Sequence, residues 1–334
     1  MSMVPAADCH AHVFCGAAYP FVSEPVYLPD PSQRGTVSSF LAVLDAHGLT
    51  HGLLVAAQPY GRDNRCMLDA IAASRGRLKG VALVNPTISE RDLAALSDRG
   101  VVGIRMNLST YGLRELTEPG ADRLLARIRE MNWFLQIHCE KDELAAAAPL
   151  LRGAGVRVVV DHFGRPDVMR GVAQPGFAAL LALGESGNAV VKLSGPFRCS
   201  REGPPYRDVD PFIAAAIEAF TLDNCVWGSD WPFVRVNERV DYGPGLACLR
   251  RWLPDSADRH KVLWANPVRL FGFAQDDGPI PAAWPGRASC RCAARARSLT
   301  ANFLPSHDRR TPRNHVHRSL RRGAARARFA RIHD

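Results

Sequence analysis

At 334 residues the chain can bury a large core, as one barrel or as two ordinary domains. Hydrophobic residues at 47% against 22% charged are the proportions of a soluble globular protein, and no apolar run approaches the roughly 18 residues of a membrane span. The net charge of +9 suggests a nucleic-acid partner until it is located: residues 287–334 hold thirteen arginines against two acids, +11, which leaves the remainder at −2.

The amino terminus, Met1 to Val13, has no basic segment leading into an apolar one, so no secretory signal is expected. Nine cysteines, an odd number scattered without pairing rhythm, predict reduced thiols in a cytoplasm. In chain order, short β-rich runs stand at Asp8–Phe14, Gly52–Gln58, Gly80–Asn85, Val102–Leu108, Trp133–Cys139, Arg157–His162, Ala189–Ser194 and Cys225–Ser229. Several are continuously apolar, as parallel strands covered on both faces should be. Helical patterns alternate with them: Val37–His47, Arg65–Ser74, Glu90–Asp98, Gly120–Met131, Asp142–Leu151, Gly176–Leu183, Pro211–Phe220 and Gly245–Leu253. Ser89 is a candidate helix cap and Gly100 a helix stop, while Asn266–Phe271 reads as a closing helix. Eight alternations predict an α/β fold, a closed (β/α)8 TIM barrel over 1–274. No glycine-rich phosphate motif follows any strand, which counts against a nucleotide fold. Residues 275–334 turn abruptly to Arg, Ala, Ser and Pro without an apolar period, the pattern of an Arg-rich disordered tail or of out-of-frame translation.

In such a barrel the chemistry lies at the carboxyl ends of the strands. His10 and His12 are two apart on the first strand and face the same way. His138 ends the fifth strand, His162 the sixth, and Asp230 follows the eighth. One buried histidine is commonly a hydrogen-bonded core residue; five polar groups at the same ends of different strands make a site. Asp161, next to His162, should point the other way, toward the helices. Arg105 within the fourth strand and Arg198 after the seventh suit a grip on a substrate carboxylate, although an internal salt bridge explains Arg105 equally well. Lys192 could face either side of the seventh strand. Tyr206 sits in a Gly/Pro-rich loop, residues 201–210, long enough to cover the site, and Trp227 and Trp231 read as core and wall.

Asp8-Cys-His-Ala-His12, Arg62-Asp-Asn-Arg65, Gly103-Ile-Arg-Met-Asn107, Asp161-His-Phe-Gly-Arg-Pro166, Tyr206-Arg-Asp-Val209 and Trp227-Gly-Ser-Asp-Trp-Pro232 together resemble the amidohydrolase superfamily. The likeness runs from about Ala7 to Phe271 and is greatest to the lactonase branch that includes 2-pyrone-4,6-dicarboxylate lactonase. It implies a distorted (β/α)8 TIM barrel and a hydrolase that opens a small carboxylated lactone, a cyclic ester. Asp230 would be the general base, with His10, His12 and His162 polarising the carbonyl. Arg105, Arg198, His138, Asn64 and Tyr206 would contact substrate.

Two departures stand out. The branch carries a further arginine shortly after the fourth-strand motif, where Asn107–Leu113 has none. It also has a tyrosine where His138 stands and works without a metal. With His138 present, His10, His12, His138 and Asp230 could instead hold a divalent metal, Zn2+ first, with an open position for water. Both cofactor readings, metal and none, stay open. So do a metal-dependent decarboxylase or lactone isomerase on the same barrel, and a non-catalytic barrel with a nucleic-acid-binding tail. The expected partner is a small carboxylated lactone, with no membrane and no nucleic acid; self-association stays open.

Overall fold

The structure is a computed structural model that describes residues 4–274; the expected tail lies outside the described residues. Eight strands, β1 (Ala7–Ala11), β2 (His51–Val55), β3 (Leu78–Ala82), β4 (Val101–Asn107), β5 (Phe134–His138), β6 (Arg157–Val160), β7 (Ala189–Ser194) and β8 (Cys225–Gly228), pair in chain order. All seven pairings are parallel. The ring closes where β1 meets β8: Asp230 N donates to His10 O at 2.8 Å and His12 N to Trp231 O at 2.8 Å. This is the predicted TIM barrel. Its distortion has two visible sources, register shifts between Asp8 and Ala11 in β1 and between Gly80 and Val81 in β3. Closure also needs Gly228, because a Cβ there would stand 2.7 Å from His10 Cβ.

Eight helices cover the strands: α1 (Val37–His47), α2 (Arg65–Ala73), α3 (Glu90–Asp98), α4 (Ala121–Glu130), α5 (Glu143–Gly153), α6 (Pro175–Glu185), α7 (Asp210–Phe220) and α8 (Tyr242–Trp252). Thr36 and Ser89 cap α1 and α3 through their hydroxyls, and Gly100 takes the left-handed turn that ends the segment. Alternate strand residues such as Leu54, Leu135, Ile137, Val158 and Val160 pack outward against these helices. Inward, Leu53, Val55, Val81, Phe134, Val159 and Val190 form a second apolar cluster. Trp264, Phe273 and α9 (Asn266–Phe271) join that cluster, so the segment 264–273 stoppers the barrel at the strands' amino ends. Above the stopper the interior becomes polar, and that layer carries the site. Among the described residues no helix is long and apolar enough to cross a membrane.

The cysteines correct one expectation. Cys15, in the loop after β1, and Cys66, at the start of α2, form a disulfide, so the thiols are not all reduced. Pairing could not be read from spacing, because the partners are 51 residues apart and only the barrel wall brings them together. A link of that span stabilises by roughly 4 kcal/mol through loop entropy. Cys15→Ser is therefore expected to lower the melting temperature under non-reducing conditions, and to match the wild type once both are fully reduced; equal melting in air would contradict the bond.

Candidate active site

The carboxyl ends of the strands open into a cleft of about 490 Å3, lined among others by His12, Arg105, His138, His162, Arg198 and Asp230. His10 is fully buried behind His12, their Nε2 atoms 3.3 Å apart. The five groups predicted to converge do so: His10 Nε2 and His12 Nε2 lie 3.7 and 3.8 Å from Asp230 Oδ1, and His162 Nε2 lies 3.7 Å from Asp230 Oδ2. His138 is one step further out, its ring 6.0 Å from that of His162.

Local backbone aims these side chains. Asp230 and His162 both hold left-handed φ, +64° and +48°, a conformation few non-glycine residues adopt unless the surroundings impose it. For Asp230 the imposing residue is Asp8, whose buried carboxylate accepts from Ser229 N at 2.8 Å and from the Tyr242 hydroxyl at 2.8 Å. Burial pushes Asp8 up to about 6 against the pull of these donors. For His162, Gly195 leaves room, since a Cβ there would press to 2.9 Å from His162 Nδ1.

The hydrogen bonds assign protons. His12 Nδ1 faces Val55 O at 2.8 Å, an acceptor only, so it carries the hydrogen and leaves His12 Nε2 bare. His162 Nδ1 donates to Ser194 Oγ at 2.8 Å, the Ser194 hydroxyl itself turning to Lys192 O, which leaves His162 Nε2 bare. All four histidines are held neutral: burial lowers each, taking His12 to about 3 and His138 and His162 well below the usual imidazole value. Asp230 stays ionised, because the Arg198 guanidinium beside it overcomes the effect of its burial. Arg198 Nε donates to Asp230 Oδ2 at 2.7 Å, leaving Oδ1 toward the histidines.

Asp161 corrects the sequence reading. Instead of facing the helices it is fully buried at the barrel centre, where its Oδ2 accepts from Arg105 Nε at 3.0 Å and Gln136 Nε2 at 3.1 Å. Strand β6 ends at Val160, so Asp161 keeps the inward phase of Val159, and the left-handed turn at His162 then brings the next residue inward as well. Arg105 combines both readings offered for it: it is salt-bridged to Asp161 and still lines the cleft. Lys192 faces the interior, with Nζ 2.7 Å from Gln136 Oε1, 3.2 Å from His10 Nδ1 and 3.3 Å from Asp161 Oδ1.

Two expected substrate contacts are elsewhere. Asn64 spends its amide on backbone, donating to Leu83 O at 2.9 Å and accepting from Leu83 N at 3.0 Å. Tyr206 lines a separate apolar pocket with Phe197, Trp227 and Tyr242. Unforeseen cleft residues are Tyr27, Gln58, Arg165 and Arg235. They come from loops whose path no strand or helix period encodes; Arg235 lies 5.4 Å over the Tyr27 ring. As for metal ligands, His10, His12 and Asp230 bring donor atoms within 4.8 Å of one another, as do His10, Asp161 and His162; among the described residues His138 is in neither group.

Comparison with known proteins agrees with this picture. The family described as Amidohydrolase matches residues 7–273. A 4-sulfomuconolactone hydrolase of Rhizobium radiobacter is 34% identical over 270 residues, spanning 79% of this chain and 89% of that protein. The crystal structure of a probable 2-pyrone-4,6-dicarboxylic acid hydrolase from Acinetobacter baumannii, with citric acid bound, superposes with a TM-score of 0.73 at 32% identity, covering 80% of this chain and 99% of that one. A zinc-bound amidohydrolase from Burkholderia multivorans, 18% identical, shares the fold with a TM-score of 0.67, covering 80% of this chain and 99% of that one.

Proposed function

The chain belongs to the amidohydrolase family, and from that premise we propose that it is a lactonase which opens a small anionic lactone by base-assisted attack of water. One observation carries the reading: an ionised Asp230, with Oδ1 facing two histidine Nε2 atoms, stands in a cleft walled by arginines. Water bridging Asp230 Oδ1 and the bare Nε2 of His162 attacks the lactone carbonyl, and Asp230 takes the proton. The His10 Nε2–H, shared between His12 Nε2 and the developing oxyanion, stabilises it. Collapse breaks the ring C–O bond, and the alkoxide takes the proton back from Asp230, giving a hydroxy acid.

Charge argues for the substrate class. The cleft arginines 105, 165, 198 and 235, with the ion-pair partner Lys192, make five cations against Asp161, Asp230 and Glu140. With the histidines neutral the surplus is two positive charges, which carboxylate or sulfonate groups on the substrate would answer. Arg235 on the rim replaces the arginine missing after Asn107.

The same surplus opposes a divalent cation. His10, His12 and Asp230 would be the ligands of Zn2+, which would polarise a carbonyl and acidify its water. Their proton arrangement does not fit. His10 Nε2 is 3.3 Å from the bare His12 Nε2 and hydrogen-bonded to it, so it carries the hydrogen and has no lone pair to give.

A pH-stat assay tests the reading. One acid equivalent should be released per carboxylated lactone opened, with kcat/KM about 10- to 150-fold above that of an uncharged isostere, the weight of one charge-assisted hydrogen bond. Carbon dioxide release from an aromatic acid, with every anionic lactone left intact, would replace it with the decarboxylase reading.

A further inference from the structure

Lys192 is an unusual residue to find with no solvent exposure in the middle of a barrel, and the proposed reaction leaves it unused. It does not touch the cleft. Its contacts are Gln136 Oε1, His10 Nδ1 and Asp161 Oδ1, an amide oxygen, an imidazole nitrogen and a carboxylate. The first two accept its hydrogens, and the carboxylate holds it by charge.

His10 is the pivot. Its Nδ1 has a donor, Lys192, at 3.2 Å and an acceptor, Asp161 Oδ1, also at 3.2 Å, so the inner end alone leaves its tautomer undecided. The outer end decides it. Val55 O fixes the hydrogen of His12 on Nδ1, the bare His12 Nε2 must accept, and the atom it accepts from is His10 Nε2 at 3.3 Å. A neutral His10 with hydrogen on Nε2 is bare at Nδ1, and there it receives Lys192. One chain of donors then runs Lys192 to His10 to His12 to Val55 O. Asp161 Oδ1 makes no hydrogen bond of its own and acts on the ammonium and the ring by charge.

We propose that Lys192 is a positioning residue that locks His10 as an Nε2–H donor, so that this one N–H, shared between His12 Nε2 and the lactone carbonyl, polarises the substrate by hydrogen bonding and His10 does not ligate a metal. Ligation would require the opposite tautomer, with an Nδ1–H driven against the Lys192 ammonium. Methionine at 192 removes that obstacle. His10 Nδ1 is then free to donate to Asp161 Oδ1, the carboxylate–histidine arrangement that presents a bare Nε2 to a metal. The carbonyl as target rests on the lactonase reading; the tautomer does not.

The test is long-range 1H–15N spectroscopy of histidine-labelled full-length protein, with His10→Asn to assign the ring, alongside zinc titration of wild type and Lys192→Met. Wild-type His10 should carry its hydrogen on Nε2. In Lys192→Met the hydrogen should move to Nδ1, zinc should bind at least about tenfold tighter, and kcat should fall about 100-fold with KM little changed. An Nδ1–H tautomer in the wild type overturns the proposal, whether or not Lys192→Met folds. So does an unmoved tautomer in a folded Lys192→Met. Turnover of no lactone by a wild type with Nε2–H would sink the lactonase reading alone and leave the lock standing.

Discussion

Asp230→Asn is expected to lower kcat by at least about 1,000-fold on any lactone the protein turns over, within the range for removal of a positioned base. The replacement is nearly isosteric, and an amide oxygen can still accept from Arg198 Nε, which now donates to Asp230 Oδ2 at 2.7 Å. What the amide cannot do is take a proton from water. A second effect distinguishes this outcome from general damage. Asp230 neutralises Arg198 in the free protein, so its loss frees a guanidinium for the substrate's carboxylate. Binding of a carboxylated lactone should tighten while turnover collapses, a pattern that separates ground-state binding from transition-state stabilisation. Calorimetric binding and steady-state kinetics on the same variant read both quantities. A kcat within tenfold of wild type would remove Asp230 from the chemistry.

The barrel was legible because its signals are periodic. Helices α1, α3 and α9 and strand β7 fall on the expected bounds, and the paired phase of His10 and His12 survives the register shift inside β1. What failed did so where a period stops. Alternation counted back from an inward His162, two residues past the end of β6, puts Asp161 outward, whereas the strand has already ended at Val160. Loop length alone puts Tyr206 at the cleft, yet it lines a separate pocket with Trp227 and Tyr242. Asn64 shows a different limit. A motif match marks a constrained residue without saying whether the constraint is substrate or, as here, the backbone of Leu83. The polar layer of Gln136, Asp161 and Lys192 was invisible for a further reason, since each reads singly as an ordinary strand or turn residue. Only closure of the ring brings β5, β6 and β7 onto one shared point.

That buried layer makes the fold acid-labile. His10, His12, His138 and His162 are each lowered by burial, His12 to about 3, whereas an unfolded histidine titrates near 6.5. As pH falls through 6.5 the unfolded chain gains protons that the native state refuses, so stability rises with pH across that window. Asp8 works the other way. Raised to about 6 in the native state, it holds a proton between there and the ordinary carboxylate value near 3.9 that the unfolded chain has released. Asp161 and Asp230, both lowered, add to the loss only below about 3.9. Near pH 5 the three imidazoles held furthest below their usual value, His12, His138 and His162, against one carboxyl leave a net difference of about two protons, a slope of about 3 kcal/mol per pH unit. Set against a total stability on the order of 5–15 kcal/mol, that slope predicts cooperative unfolding within about two to five pH units below 6.5. Urea midpoints measured from pH 7 to pH 4.5 read the slope directly. His138→Gln, whose ring nitrogen Nδ1 is buried without a hydrogen-bond partner, should reduce it by about one proton. A flat profile across that range would mean that the four imidazoles are not held neutral, and with them would go the proton assignments that make His10 a donor.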